Sequence, residues 1–272
     1  MMNFIKRLLA IPVRLLARLL GTGNYFNTTA LWSAVFNLTA SGEDGTSLLY
    51  AIYIRNGLDK TRLAARNIIT ISQSARPAVI IASLEFREGN ISEANQWVKL
   101  ATDSNAKDIE QLLVIKLYLT EFFSEYDKKI IIEEILSKNY LPMEVTRLAL
   151  IEKAFLALEE KDWPGAGKIA DRILSVEEHF AARIVKAAVA MVNKNLTAAE
   201  QLLKKAQHKT AAAQFYPLAS HALLCVGNTE MAMEYLCRAG KLDSRLIQSN
   251  TTLGKFARSQ EFADYCRRRQ QQ

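Results

Sequence analysis

A fixed interval of 33 residues constrains this chain more than any other feature. Ala154, Ala187 and Ser220 stand 33 apart, and each is followed twelve residues later by another small residue, Ala166, Ala199 and Ala232. Between the members of each pair lies a short polar break: Lys161-Asp162, Lys194-Asn195 and Gly227-Asn228. An upstream copy consists of Ala82, Gly89-Asn90 and Ala94. A small residue, a turn and a second small residue at constant spacing call for two antiparallel helices in close contact, and a period near 33 calls for such pairs to stack.

Half of the 272 residues are apolar and only five are proline, enough material for a continuous core in a nearly all-helical chain. The spacing predicts helices over 28–41, 47–55 and 61–73, with the glycines at 42 and 45 ending the first of these. Pairs then follow at 77–88 with 91–103, 107–123 with 127–137, 144–160 with 163–174, 177–193 with 196–207, and 211–226 with 229–239. A last pair covers 245–259 and 260–269. The 107–137 pair has lost its alanines, although Tyr118 and Ile130 keep the twelve-residue spacing.

Residues 1–22 stand apart. On a helix, Phe4, Ile5, Leu8, Leu9, Ile11, Leu15, Leu16, Leu19 and Leu20 share an apolar arc, with Arg7, Arg14 and Arg18 opposite and Lys6 at its edge. The net charge is +7, and Lys6, Arg7, Arg14 and Arg18 contribute four of it before the first acidic residue, Glu43. Arg14 and Arg18 interrupt the apolar run, so this segment suits lying on a membrane rather than crossing it. The residues expected to meet an anionic surface are Phe4, Lys6, Arg7, Leu8, Arg14, Leu15, Arg18 and Leu19. Two other readings stand beside the anchor: a first solenoid or partner-docking helix, and a cleaved targeting peptide. Residues 23–45 read as a helical connector, and 46–272 as the array. A basic balance concentrated at one end argues against nucleic acid as partner.

Motifs of catalysis are missing from the sequence: it has no glycine-rich phosphate loop, no HExxH and no GxSxG. No enzyme activity, cofactor or metal is expected. Cys225, Cys237 and Cys266 are odd in number and lack CxxC spacing, which suggests neither a disulfide framework nor a zinc site and points to a reducing compartment. His221 and Cys225 lie four apart on one helix face and read as a structural cysteine beside a partly exposed histidine. His179 and His208 suit helix ends, and the acidic pairs Glu133-Glu134, Glu159-Glu160 and Glu177-Glu178 suit solvated faces.

On these residues the array resembles tetratricopeptide repeats (TPR). That family favours small residues at repeat positions 8 (here Ala82, Ala154, Ala187, Ser220) and 20 (Ala94, Ala166, Ala199, Ala232), with Ala101, Ile173, Ala206 and Ala239 at position 27. The resemblance covers about 46–270. It implies an all-α, right-handed α-solenoid of stacked antiparallel helix pairs, here preceded by an amphipathic helix. It also implies a concave lining drawn from the first helix of each pair. Among those positions Phe86, Ile151, Phe155, Leu158, Ile184, Met191, His221 and Leu224 form the expected partner-binding set, an apolar groove for an amphipathic helix or extended apolar segment. The Lys, Arg and Asn set with which some family members clamp a carboxylate is missing there. The expectation is a non-enzymatic scaffold or adaptor, cytoplasmic and peripheral on the inner face of a membrane. The alternative is an accessory subunit of a membrane-associated enzyme complex, its first helix docked on protein.

Overall fold

The computed structural model describes residues 10, 11, 13, 14, 28–103, 110–208, 210–239 and 242–270. Every regular element among them is a helix. The chain divides into two compact units, residues 1–119 and 120–272.

Unit 1 holds α1 (Thr29–Thr39), α2 (Gly42–Asn56), α3 (Leu58–Ser72), α4 (Arg76–Arg87), α5 (Ile91–Asp103) and α6 (Glu110–Leu119). Neighbours pair as α1 with α2, α2 with α3 and α4 with α5, while α6 packs on both α4 and α5. Gly42 to Gly45 is the first turn of α2 rather than the end of a helix. Ser41 caps it, its hydroxyl accepting from the Asp44 N–H at 3.2 Å, and Glu43 and Asp44 sit favourably at the positive end of the helix dipole. Gly45 is required there, since a Cβ would run into Ile68 of α3 and Phe36 of α1. The amphipathic α4 starts with Pro77 in its first turn, where a missing N–H costs nothing.

Unit 2 holds α7 (Lys128–Ser137), α8 (Met143–Glu159), α9 (Trp163–Val176), α10 (Phe180–Val192), α11 (Leu196–His208), α12 (Ala212–Cys225), α13 (Thr229–Arg238), α14 (Ser244–Gln248), α15 (Thr252–Ala257) and α16 (Gln260–Gln270). Three regular pairs, α8/α9, α10/α11 and α12/α13, form its body. The small residues that define the period are buried at every copy: Ala154, Ala166, Ala187, Ala199, Ser220 and Ala232 are each 0% exposed. Where serine replaces alanine its hydroxyl is not left over. Ser220 Oγ donates to the Ala232 carbonyl at 2.9 Å, tying α12 to α13.

The polar breaks are one turn repeated. Gly89, Lys161, Lys194 and Gly227 all have positive φ, between 58° and 83°. The residue after each donates its N–H five residues back, from Asn90 to Glu85 (2.9 Å), Asp162 to Ala157 (2.8 Å), Asn195 to Ala190 (2.9 Å) and Asn228 to Leu223 (2.9 Å). This left-handed C-terminal cap satisfies carbonyls that the helix itself cannot. In unit 2 the same Asp or Asn then starts the next helix, its side chain accepting from Gly165, Ala198 and Met231 N–H groups respectively.

Two expectations about pairing need correction. The 107–137 pair is divided: α6 belongs to unit 1, and α7 packs on α8 in unit 2. Ile130 is 65% exposed, so the Tyr118 and Ile130 spacing does not mark facing core positions. The helix expected over 245–259 is two short ones, because Ser249, Asn250 and Thr251 offer a new cap: Thr251 Oγ1 accepts from Gly254 N–H at 3.1 Å.

The cysteine reading is also corrected. Cys237 on α13 and Cys266 on α16 form a disulfide across 29 residues of sequence, their Cα atoms 6.3 Å apart. Cys225 is free. Only the return of α16 onto α13 makes the first two neighbours.

Candidate functional site

In unit 2 the first helices of the regular pairs meet one another. α8 touches both α10 and α12, so three successive helices converge. Phe155, Leu158 and Ile184 are 3%, 0% and 0% exposed and belong to the core between those helices. Ile151, Met191 and His221 are half-buried at its edge, whereas half-buried Leu224 packs against the cluster of Leu236, Leu253 and Phe262. In unit 1, Phe86 is half-buried and stacks on Tyr118, ring centres 5.5 Å apart.

Convergence of the helices puts charge where the sequence pattern suggested an apolar lining. His221 stacks on Phe155 at 5.4 Å, and its Nε2 lies 2.8 Å from Glu159 Oε1. Burial alone would drive the imidazole toward neutrality, but hydrogen bonds to Cys225 and Glu159 outweigh it and hold His221 at a pKa of about 9. Burial likewise opposes ionisation of Glu159, and its bond to charged His221 overcomes that and lowers its pKa. Lys128 Nζ pairs with Glu152 Oε2 at 2.6 Å. Burial pushes the nearby Glu121 carboxyl up, against the pull of Lys128.

The segment carrying Glu121 is fastened from the far end of the unit. Asn250 donates its backbone N–H to the Glu121 carbonyl at 2.8 Å and its side-chain amide to the Phe122 carbonyl at 3.0 Å. Glu159 lies on an exposed face as expected, but it is engaged there by His221 rather than free. The other acids of the pairs are engaged too, Glu133 with Lys153, Glu160 with Lys129 and Glu177 with Arg147. Lys128, Glu152 and Glu121 were invisible as a group because they come from a loop and two helices. His179 acts as foreseen, its Nδ1 accepting from Ala181 N–H at 3.3 Å as the cap of α10.

Of the residues expected to meet a membrane, only Arg14 lies among those described. Phe4, Lys6, Arg7, Leu8, Leu15, Arg18 and Leu19 fall outside them. Arg14 grips Asp44 with both arms of its guanidinium, Nε to Oδ1 at 2.9 Å and Nη2 to Oδ2 at 2.6 Å. Asp44 also accepts from Thr39 and Ser41 hydroxyls, each at 2.7 Å. Burial would raise the Asp44 carboxyl, yet these bonds keep it below its ordinary range. Ala10 beside this clamp is 0% exposed. Among the described residues no helix is long and apolar enough to cross a membrane, and no three metal-binding side chains gather.

The fold is that of a TPR-like helical repeat. It is similar to the crystal structure of PilW, a widely conserved type IV pilus biogenesis factor, with a TM-score of 0.53 and 14% identity over 82% of this chain and 97% of PilW. A second similar structure is yeast Tom70, with a TM-score of 0.42 and 15% identity over 99% of this chain and 56% of Tom70. No family model matches the sequence, and no curated protein matches it.

Proposed function

We propose that this chain is a non-enzymatic protein-interaction scaffold, peripheral to a membrane, that receives a partner on the inner face of its repeats. The stacked pairs of unit 2 carry the reading: tightly packed hairpins make a rigid extended surface, and its inner edge presents Ile151, Met191, His221 and Leu224 beside a charged seam. The partner segment is accordingly an amphipathic helix or extended strand with apolar residues on one side and polar ones on the other. PilW, which shares the fold, is a biogenesis factor, a role that suits a scaffold for assembly. The membrane contact rests on residues 1–22, whose apolar arc and basic face fit an anionic surface. The Cys237–Cys266 disulfide weighs toward the oxidising side of that membrane and against a reducing cytoplasm.

A second reading has its own observation. Arg14 is spent on Asp44 and Ala10 is buried, which favours an N-terminal segment docked on protein, as in a subunit of a larger complex. Flotation with anionic and neutral vesicles separates the two. Full-length protein should float with anionic vesicles and the form lacking residues 1–22 should not. Equal sedimentation of both removes the membrane anchor. An affinity pull-down from native membranes with both forms tests the scaffold itself, which fails if neither retains a stable partner.

A further inference from the structure

At the end away from its turn, the α8/α9 hairpin carries a cavity of about 190 Å³, lined by residues other than those of the expected partner-binding set. Leu150 and Ile173 form its floor, and Met143 and Val176 its walls. Both wall residues lie in end turns, Met143 starting α8 and Val176 ending α9, and they are 58% and 68% exposed. Apolar side chains left open around a concavity are the kind of surface that a partner's anchor residue covers. The volume suits one large side chain, since an apolar cavity of about 150 Å³ already accepts a benzene ring.

The rim supplies the chemistry of the occupant. Arg147 and Arg172 both line the cavity. Arg147 is bound to Glu177, whereas Arg172 is exposed and has no ion pair among the described residues. Neighbouring Asp171 is occupied by Lys186 at 2.8 Å, so it does not neutralise Arg172. Lining charges therefore sum to one excess positive charge: Arg147 and Arg172 against Glu177.

We propose that this cavity is a second docking site on the scaffold, taking a protein segment that inserts one phenylalanine or leucine and sets a neighbouring carboxylate on Arg172. The apolar anchor provides most of the binding, and Arg172 selects the flanking residue and orients the segment along α9. Lysine flanks are repelled by the same guanidinium. The site is distinct from the inner face, so occupation of one does not require the other.

The test uses full-length protein labelled with 13C at the methionine methyl groups. It is titrated with two short acetylated and amidated peptides, Ser-Asp-Phe-Asp-Ser and its counterpart with lysine in place of both aspartates. The acidic peptide should shift the Met143 methyl saturably and leave Met191 on the inner face unmoved, and the lysine peptide should bind roughly fivefold more weakly. Arg172→Glu, an exposed substitution that leaves the packing intact, should reverse that order. Equal binding of the two peptides, no Met143 shift at millimolar peptide, or a Met143 shift on concentrating the protein alone, which would mean a second copy of this chain fills the cavity, would each overturn the proposal.

Discussion

Within unit 2, the regular pairs α8 to α13 and the terminal helices α14 to α16 are stabilised by different means. The regular pairs are held mainly by packing: alanines let helix axes approach, each turn closes with the same left-handed cap, and the core runs through from Ala154 to Ala222. The terminal helices are short and polar. α14 and α15 span 5 and 6 residues, and among the described residues the buried apolar cluster there is Leu253 and Phe262 with Leu236 of α13. What fastens α16 to α13 is the Cys237–Cys266 disulfide, helped by Arg269 and Glu234 at 3.4 Å. The contrast teaches that helices with little apolar material of their own can be held to a repeat array by a covalent link.

The sharpest way to break that comparison is to remove the link. For a loop of about 30 residues the chain-entropy contribution is roughly 3.5 kcal/mol. Cys266→Ser should therefore release α16, seen as rapid amide exchange over 260–270 with protection of α10 and α11 unchanged. Retained protection of α16 would show that packing alone suffices at this end. Next in size, Ala199→Leu should overpack the α10/α11 contact at a cost of about 1 to 3 kcal/mol, lowering the main melting transition. A change at the exposed Lys204 should leave it in place, and similar shifts for the two would mean that the alanine contacts do not govern the array.

A smaller effect lies in the charged seam between α8 and α12. His221 has its pKa raised from 6.5 to about 9, so its contribution is complete below pH 6.5 and disappears as pH rises through 9. Glu159 is lowered from 4.5, so its share is present above that value and is lost on acidification through its folded pKa. Stability from the pair should peak between these two ordinary values and fall by roughly 2 to 3 kcal/mol toward pH 9. Denaturant midpoints across that range should flatten in His221→Ala. Smallest is the turn itself. Lys194 sits at a φ of 58°, a conformation that glycine adopts freely, and Lys194→Gly should raise stability by about 0.5 to 1 kcal/mol in urea unfolding. At Gly227, already glycine, alanine should cost a similar amount.

Much of this architecture can be read from one dimension. Small residues twelve apart around a polar turn identify the pairs because the constraint is local: the two helices and their turn are contiguous, and only alanine or serine fits between them. The turn conformation came only with the structure, where Lys161 and Lys194 share the positive φ of Gly89 and Gly227. Reading failed where an alternative local preference competed. Ser41 and Asp44 outweighed two glycines to start α2, and Ser249, Asn250 and Thr251 broke a helix that periodicity alone would have continued.

The sequence by itself determined the repeat, its period, its turns and the basic, apolar character of residues 1–22. Tertiary structure alone decided three other things: that Phe155, Leu158 and Ile184 are core, that His221 meets Glu159, and that Cys237 meets Cys266. The physical reason is reach. Periodicity reports which residues share a face of one helix, whereas these contacts join residues 62 and 29 apart, brought together by how tightly successive pairs close on one another. That curvature is set by the sum of many side-chain volumes and has no signature at any single position.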